Sequence, residues 1–330
     1  MPAMVFLPVL AALAASLACL WLLLSPFGRR LMLDRTNERS LHERPVPRSG
    51  GIAIALGVAA GASLAPSLQP IVLAAAGALA LVSLADDVLG MPAFVRLAAH
   101  LGAAAAALVF DGRIDDPVLA MVLVLAVAWS ANLYNFMDGS DGLAGGMAVF
   151  GFAAYAIAGL QAGAGGLAAL SAAVAGASAA FLFFNFSPAR IFMGDAGSVP
   201  LGFLAGALGI LGWRDGAWPL WFPMLVFAPF ACDATLTLIR RLVRRERVWQ
   251  AHREHYYQRL VRMGFGHRGT AWIEYGAMLG CASTALLART LTTGMQLVAV
   301  GAATLALVAV AVWIDVRWAR HLRTSGGAAA

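Results

Sequence analysis

Val118-Leu-Ala-Met-Val-Leu-Val-Leu-Ala-Val-Ala-Trp-Ser-Ala131 is an unbroken apolar run that passes directly into Asn132-Leu-Tyr-Asn-Phe-Met-Asp-Gly-Ser-Asp-Gly-Leu-Ala144. The run shows no polar stripe of the kind a soluble amphipathic helix needs, so it reads as a helix in lipid. Acids and amides gathered where it ends read as chemistry at the rim of a bilayer, because ionisable groups there are functional by default. One unit of this kind fixes a class: a membrane helix with a polar site at one end.

Working outward, similar runs fill the 330 residues, of which 61% are hydrophobic and 12% charged. A soluble domain carries about 25% charged residues. Spans are predicted near Met4–Leu24, Ile52–Leu68, Pro70–Leu84, Ala93–Phe110, Val118–Ala131, Leu143–Leu160, Gly166–Phe184, Val199–Leu211, Pro219–Ile239, Thr270–Ala288 and Met295–Ile314. The fold class is an all-α polytopic membrane bundle of about 10–11 transmembrane helices, rich in Ala and Gly for close packing in lipid. The first run lacks a basic leader and is followed by Arg29 and Arg30, so it is expected to be a retained span and not a secretory signal. Residues 1–330 are expected to form one integral membrane domain, with cytoplasmic loops near 27–50, 86–92, 132–142, 185–198 and 240–269. The tail Gly326–Ala330 reads as disordered.

The arginines orient the bundle. With Phe27–Gly50 cytoplasmic and strict alternation after it, Arg113, Arg214 and Arg289 face outward and the other twenty of the 23 basic residues face or flank the cytoplasm. The formal charge of +6 is therefore a topology signal, and nucleic acid is not an expected partner. No lysine occurs, which excludes a P-loop lysine and a Schiff-base lysine. Cys19, Cys232 and Cys281 lie in separate apolar runs and read as small core residues, not as disulfide or zinc ligands.

In this topology four polar groups land on one face. Asp86 and Asp87 end the third span in Ala85-Asp-Asp-Val-Leu-Gly90. Adjacent carboxylates repel unless a cation or donor lies between them, and hard oxygen ligands suit magnesium. Asn132, Asn135 and Asp138 lie at i, i+3 and i+6, one helical face, with Asp141 beyond them among glycines. The EF-hand spacing and its closing glutamate are missing there. Phe192-Met-Gly-Asp-Ala-Gly-Ser198 precedes an apolar helix, where backbone N–H groups suit phosphate and Asp195 suits a metal. His252-Arg-Glu-His255, with Arg253 and Arg259, offers donors to a diphosphate; two histidines without a nearby cysteine do not make a zinc site. His42, His100 and His267 read as structural. Asn185-Phe-Ser187 matches a glycosylation sequon but falls on the cytoplasmic side.

In order and in kind, these motifs resemble the polyprenyl-phosphate N-acetylhexosamine-1-phosphate transferases, glycosyltransferase family 4, across nearly the whole chain. Asn37-Glu-Arg-Ser-Leu-His42 and Pro45-Val-Pro-Arg48-Ser-Gly-Gly51 also resemble that group. The resemblance implies transfer of N-acetylhexosamine-1-phosphate from a UDP-sugar to undecaprenyl phosphate, releasing UMP, at the bacterial inner membrane. Magnesium is implied as cofactor, with manganese as a substitute, and a homodimer fits the family. Asp86, Asp87 and Asp195 are implied as catalytic, with Asp195 and Asp86 at the metal. Asn132, Asn135, Asp138, Asp141, His252, Arg253 and His255 are implied to bind substrate. His-Arg-Glu-His in place of three consecutive histidines is more similar to enzymes that initiate O-antigen than to the peptidoglycan lipid I translocase. Two alternatives stay open: a secondary transporter with a carboxylate and histidine ion site, and a CDP-alcohol phosphotransferase, whose arginine Asp141-Gly-Leu-Ala-Gly-Gly146 does not supply.

Overall fold

The structure, a computed structural model, describes residues 3–26, 28, 46–65, 70–109, 114–247 and 252–326. Arg29, Arg30, most of the front loop including His42, Arg113 and the last residues of the tail lie outside the described residues. Among the described residues there are helices and no strands. In chain order they are α1 (Ala3–Leu24), α2 (Gly50–Ala62), α3 (Pro70–Leu89), α4 (Ala93–Val109), α5 (Pro117–Met137), α6 (Leu143–Gln161) and α7 (Gly165–Asn185). Then follow α8 (Asp195–Arg214), α9 (Trp221–Val226), α10 (Ala228–Val243), α11 (Tyr256–Leu260), α12 (Gly266–Ala288) and α13 (Thr293–Gly326). Among the described residues seven helices are long and apolar enough to cross a membrane: α1, α3, α5, α6, α7, α8 and α13. α2 and α4 are shorter apolar helices. The chain is a multi-pass membrane protein.

The apolar runs become helices at close to the expected limits, with local chemistry trimming the ends. Asp116 accepts from Val118 N at 2.8 Å and Leu119 N at 3.2 Å, capping α5, and Pro117 occupies the first turn, where no N–H is needed. The eighth run begins earlier than expected, at Asp195, which therefore stands in the first turn of α8 and not in the loop before it. Its carboxylate meets the positive end of the helix there. The expected span Pro219–Ile239 is corrected: it is two helices, α9 and α10, broken at Phe227 (φ −99°, ψ 11°). Pro229 has no N–H to give to a continuous helix, so the ladder cannot run through. The last helix is longer than the predicted Met295–Ile314, at 34 residues.

α6, α7 and α8 form the buried centre, while α1, α3, α5 and α13 present apolar side chains such as Trp21, Leu81, Val118 and Leu297 outward. Small residues set the helix spacing. A Cβ on Gly51 of α2 would stand 2.3 Å from the backbone N of Gly197 on α8, so only glycine permits that approach. This contact fixes the first turn of α8, and so Asp195, against α2. Gly50 N and Gly51 N donate to Phe192 O and Met193 O, both at 2.9 Å, which ties the turn before α8 to the same helix.

Candidate active site at one end of the bundle

α5 delivers the centre of the site. Asn135, in its last turn, donates from Nδ2 to Oδ2 of Asp195 at 3.3 Å and accepts at Oδ1 from Ser198 Oγ at 2.9 Å. One amide thus joins the ends of α5 and α8 across sixty residues of chain. One turn earlier, Asn132 Nδ2 donates to Nδ1 of His100 on α4 at 2.9 Å and to Ala128 O. Through Asn132, one turn from Asn135, His100, read from the sequence as structural, borders the site.

Asp86 lies in the last turn of α3. Its Oδ1 accepts from Met91 N at 2.6 Å and its Oδ2 meets Arg96 at 3.1 Å. Arg96 stands one turn before His100 on α4, so the carboxylate belongs to the same end of the bundle. Both oxygens of Asp86 are engaged by the chain; Asp87 is the more exposed of the pair.

The Asp-Gly segment after α5 divides its labour. Asp138 caps α5 and is half-buried. Asp141 is buried and accepts from Ala189 N at 3.0 Å. Asn185 accepts from Gly142 N and donates to Ile191 O, both at 2.9 Å. Asp141 and Asn185 therefore lock residues 189–191 onto the Asp-Gly turn, and with them the approach to Asp195. Ser140 Oγ and His267 Nδ1 share a hydrogen bond of 2.9 Å, a second histidine at the site's edge.

The histidine segment arrives from the other side. Tyr257 Oη donates to Phe136 O at 3.2 Å, and the His255 ring lies 6.4 Å from that of Phe136 at 27°. His255 is buried; His252 packs on it at 4.8 Å. Burial, helped by His255 and Arg241, pushes His252 down to about 4, so it is neutral at pH 7. Among the described residues its enclosed Nδ1 has no hydrogen-bond partner. It is a neutral ring poised to exchange a hydrogen bond, not a cation. Arg253 precedes His255 in the same short segment, and its carbonyl accepts from Arg262 at 3.3 Å.

Two acids missed in the sequence organise this segment. Asp233 of α10, buried, accepts at Oδ1 from His255 Nδ1, Tyr256 N and Thr237 Oγ1 and at Oδ2 from Tyr257 N. Asp315 of α13 pairs with Arg240 of α10 and with Arg259 of α11, the latter at 3.0 Å. The available signal was a lone carboxylate inside an apolar run for Asp233 and at the end of one for Asp315.

Asp195, Asn135 and Ser198 make a hard, oxygen-rich corner that suits magnesium. Among the described residues no group of three or more His, Cys, Asp or Glu is gathered for a metal ion. An ion at this corner would take one or two carboxylates from the chain and complete its shell from substrate phosphates. Asp86, already neutralised by Arg96, fits such a role less well than Asp195.

A family description, glycosyl transferase family 4, matches residues 69–213, the stretch from the start of α3 to the end of α8. Over 287 residues the chain is 31% identical to the decaprenyl-phosphate N-acetylglucosaminephosphotransferase of Mycolicibacterium smegmatis, covering 72% of this chain and 70% of that one. The chain belongs to glycosyltransferase family 4, the polyprenyl-phosphate hexosamine-1-phosphate transferases. This transferase is also 29% identical over 279 residues to the probable undecaprenyl-phosphate N-acetylglucosaminyl 1-phosphate transferase of Bacillus subtilis, covering 77% of this chain and 78% of that one. A stretch of 95 residues is 44% identical to the phospho-N-acetylmuramoyl-pentapeptide-transferase of Moorella thermoacetica, 29% of either chain. The family match spans Asp86, Asp87, Asn132, Asn135, Asp138, Asp141 and Asp195 of this transferase, whereas Asp233, His252 and His255 lie beyond it. The transporter and CDP-alcohol alternatives are left without support.

Proposed function

We propose that this transferase moves N-acetylhexosamine-1-phosphate from a UDP-sugar to undecaprenyl phosphate, with release of UMP, at the cytoplasmic face of the bacterial inner membrane. The product is the first lipid-linked sugar of a cell-surface polysaccharide of the O-antigen kind. The observation that carries the reading is the Asn135 bridge to both Asp195 and Ser198 at the end of an apolar bundle. It supports an ion site where a lipid phosphate and a water-soluble nucleotide would meet. The two long matches described above are to proteins named for N-acetylglucosamine, which supports that sugar as the donor. The departure of His252-Arg-Glu-His255 from three consecutive histidines argues against a muramoyl-pentapeptide donor.

The chemistry follows from charge. An oxygen of the lipid phosphate attacks the sugar-bearing phosphorus, the bond to the UMP phosphate breaks, and UMP leaves with the electron pair. Because the second pKa of a phosphomonoester is about 6, the nucleophile is already largely ionised at neutral pH and a strong general base is not needed. Positioning and neutralisation of the gathering charge are needed. Magnesium, when bound, supplies much of that neutralisation, and Asp195 with Asn135 would hold it. Asp87 orients the acceptor phosphate. His252, a neutral ring, and His255 offer hydrogen bonds to the diphosphate, and Arg253 offers charge. Direct attack needs no covalent aspartyl-phosphate.

Asp195→Asn and Asp87→Asn, purified and supplied with undecaprenyl phosphate and a panel of UDP-sugars, test this. We expect UMP release to fall by about 10²-fold or more in each, with folding retained. Near wild-type turnover in both variants would remove the proposed mechanism.

A further inference from the structure

Every polar atom of the Asp233 carboxylate that a neighbour could use is committed to one short segment. His255 Nδ1, Tyr256 N and Tyr257 N all stand 3.0 Å from its oxygens, and Thr237 Oγ1 adds a fourth contact at 3.2 Å from one turn along α10. Two of these donors are the free backbone N–H groups that open α11; the third is a ring nitrogen. A carboxylate can only accept from that nitrogen, so the proton of the hydrogen bond is on Nδ1. A second device holds the same residue: His255 N donates to Oε1 of Gln258 at 3.1 Å, and the ring stacks on Tyr257 at 5.8 Å and 16°. The side chain is thus fixed in position, in plane and in tautomer, with Nε2 left as the atom that can act on a ligand. The Asp233 oxygens are filled by these four donors, so the carboxylate reaches the site through the ring it holds.

We propose that Asp233 is a positioning residue for the transfer reaction, which acts through His255 by holding its Nδ1–H and presenting Nε2 to the diphosphate of the donor. The proposal deepens the reading of the site given above and rests on it. Asp233 does two jobs with one charge. It orients the ring, and it stabilises positive charge on the imidazole if Nε2 gains a proton or tightens a hydrogen bond as negative charge builds on the leaving phosphate. The backbone contacts to Tyr256 and Tyr257 make the carboxylate part of the fold of α11, so ring and helix move together. Tyr257 Oη to Phe136 O then sets the distance from this unit to Asn135 and Asp195.

Histidine-selective 15N spectra of the full chain in lipid nanodiscs, with the His255 signals assigned by comparison with His255→Gln, read the tautomer without any turnover. We expect Nδ1 of His255 to carry a proton in the wild type and to lose it, wholly or in part, in Asp233→Asn. Kinetically, Asp233→Asn is expected to lower kcat roughly tenfold or more while the KM for the UDP-sugar changes about threefold at most. Combined with His255→Gln it is expected to cost little beyond His255→Gln alone, because the two residues act as a unit. Asp233→Glu, which keeps the carboxylate charge, is expected to recover part of kcat. An unprotonated Nδ1 in the wild type would overturn the inference, as would additive losses in the double variant. Should Asp233→Asn fail to fold, the wild-type spectrum still decides. Absence of UMP release from every UDP-sugar tested would instead defeat the reaction assigned to the site, with the spectrum unaffected.

Discussion

Gly139 shows how finely single residues set this site. A Cβ there would lie 2.1 Å from Tyr257 Oη and 3.1 Å from its Cζ, so the turn after α5 and the histidine segment touch through a missing methyl group. Gly139→Ala must push the Tyr257 ring away, and the ring carries α11 and His255 with it. Overpacking of this kind costs about 1–3 kcal/mol. We therefore expect kcat/KM to fall about tenfold, with the α-helical content measured by circular dichroism unchanged. Removing the clashing hydroxyl supplies the control. Tyr257→Phe alone loses one hydrogen bond to Phe136 O, yet Gly139→Ala with Tyr257→Phe should be more active than Gly139→Ala alone. A double variant no better than the single would mean that the contact does not transmit to the site.

At the scale of elements, what could be read in the sequence was contiguous. An apolar run announces a lipid-spanning helix because every backbone group must be satisfied inside it, and so most of the helices stand where composition puts them. The acids and amides at their ends were equally legible, since Asp86, Asn135 and Asp195 sit where hydropathy collapses. What was not legible was pairing across the chain. Asp233 and Glu274 are lone acids inside apolar stretches and Asp315 stands at the end of one, and nothing local says that the first grips His255 or that the last grips Arg259. His100 and His267 were passed over for the same reason: their partners, Asn132 and Ser140, are 32 and 127 residues away. The break at Phe227 was hidden because prolines are tolerated in membrane helices and do not by themselves end one.

The long closing helix α13 offers a test at this scale. It is the least buried of the spanning helices. Gln296 accepts from Trp221 Nε1 near its start, and near its other end Asp315 pairs with Arg240 and Arg259 and accepts from Tyr256 Oη at 3.4 Å. Arg259 is 4% exposed, so removing its partner leaves a buried guanidinium uncompensated. Asp315→Ala should lower apparent stability by on the order of 1–3 kcal/mol in thermal unfolding in detergent, whereas Asp315→Asn, which keeps an acceptor, should lose less. Equal melting of both variants and wild type would mean that the Asp315 ion pairs do not help to hold α13 on the bundle.

For the whole molecule, the arginines are shared unevenly between the ends of the bundle, and that bias predicts how it lies in the membrane. α8 runs from Asp195 at the site to Arg214 at the far end; α12 runs from His267, beside Ser140, to Arg289; α13 returns from Thr293 to Asp315 at the site. Arg240, Arg241, Arg244, Arg317, Arg320 and Arg323 all gather at the site's end, with Arg214 and Arg289 at the other. Arginine excess marks the cytoplasmic side, which is also the side where nucleotide sugars are made. In a background with Cys19, Cys232 and Cys281 replaced by alanine, Thr292→Cys at the far end should react with a membrane-impermeant maleimide on spheroplasts. Arg247→Cys, exposed at the site's end, should react only after the membrane is opened. The reverse pattern would place the acids and histidines outside the cell, where no UDP-sugar is available, and the transfer reaction would have to be given up even with every contact around Asp195 intact.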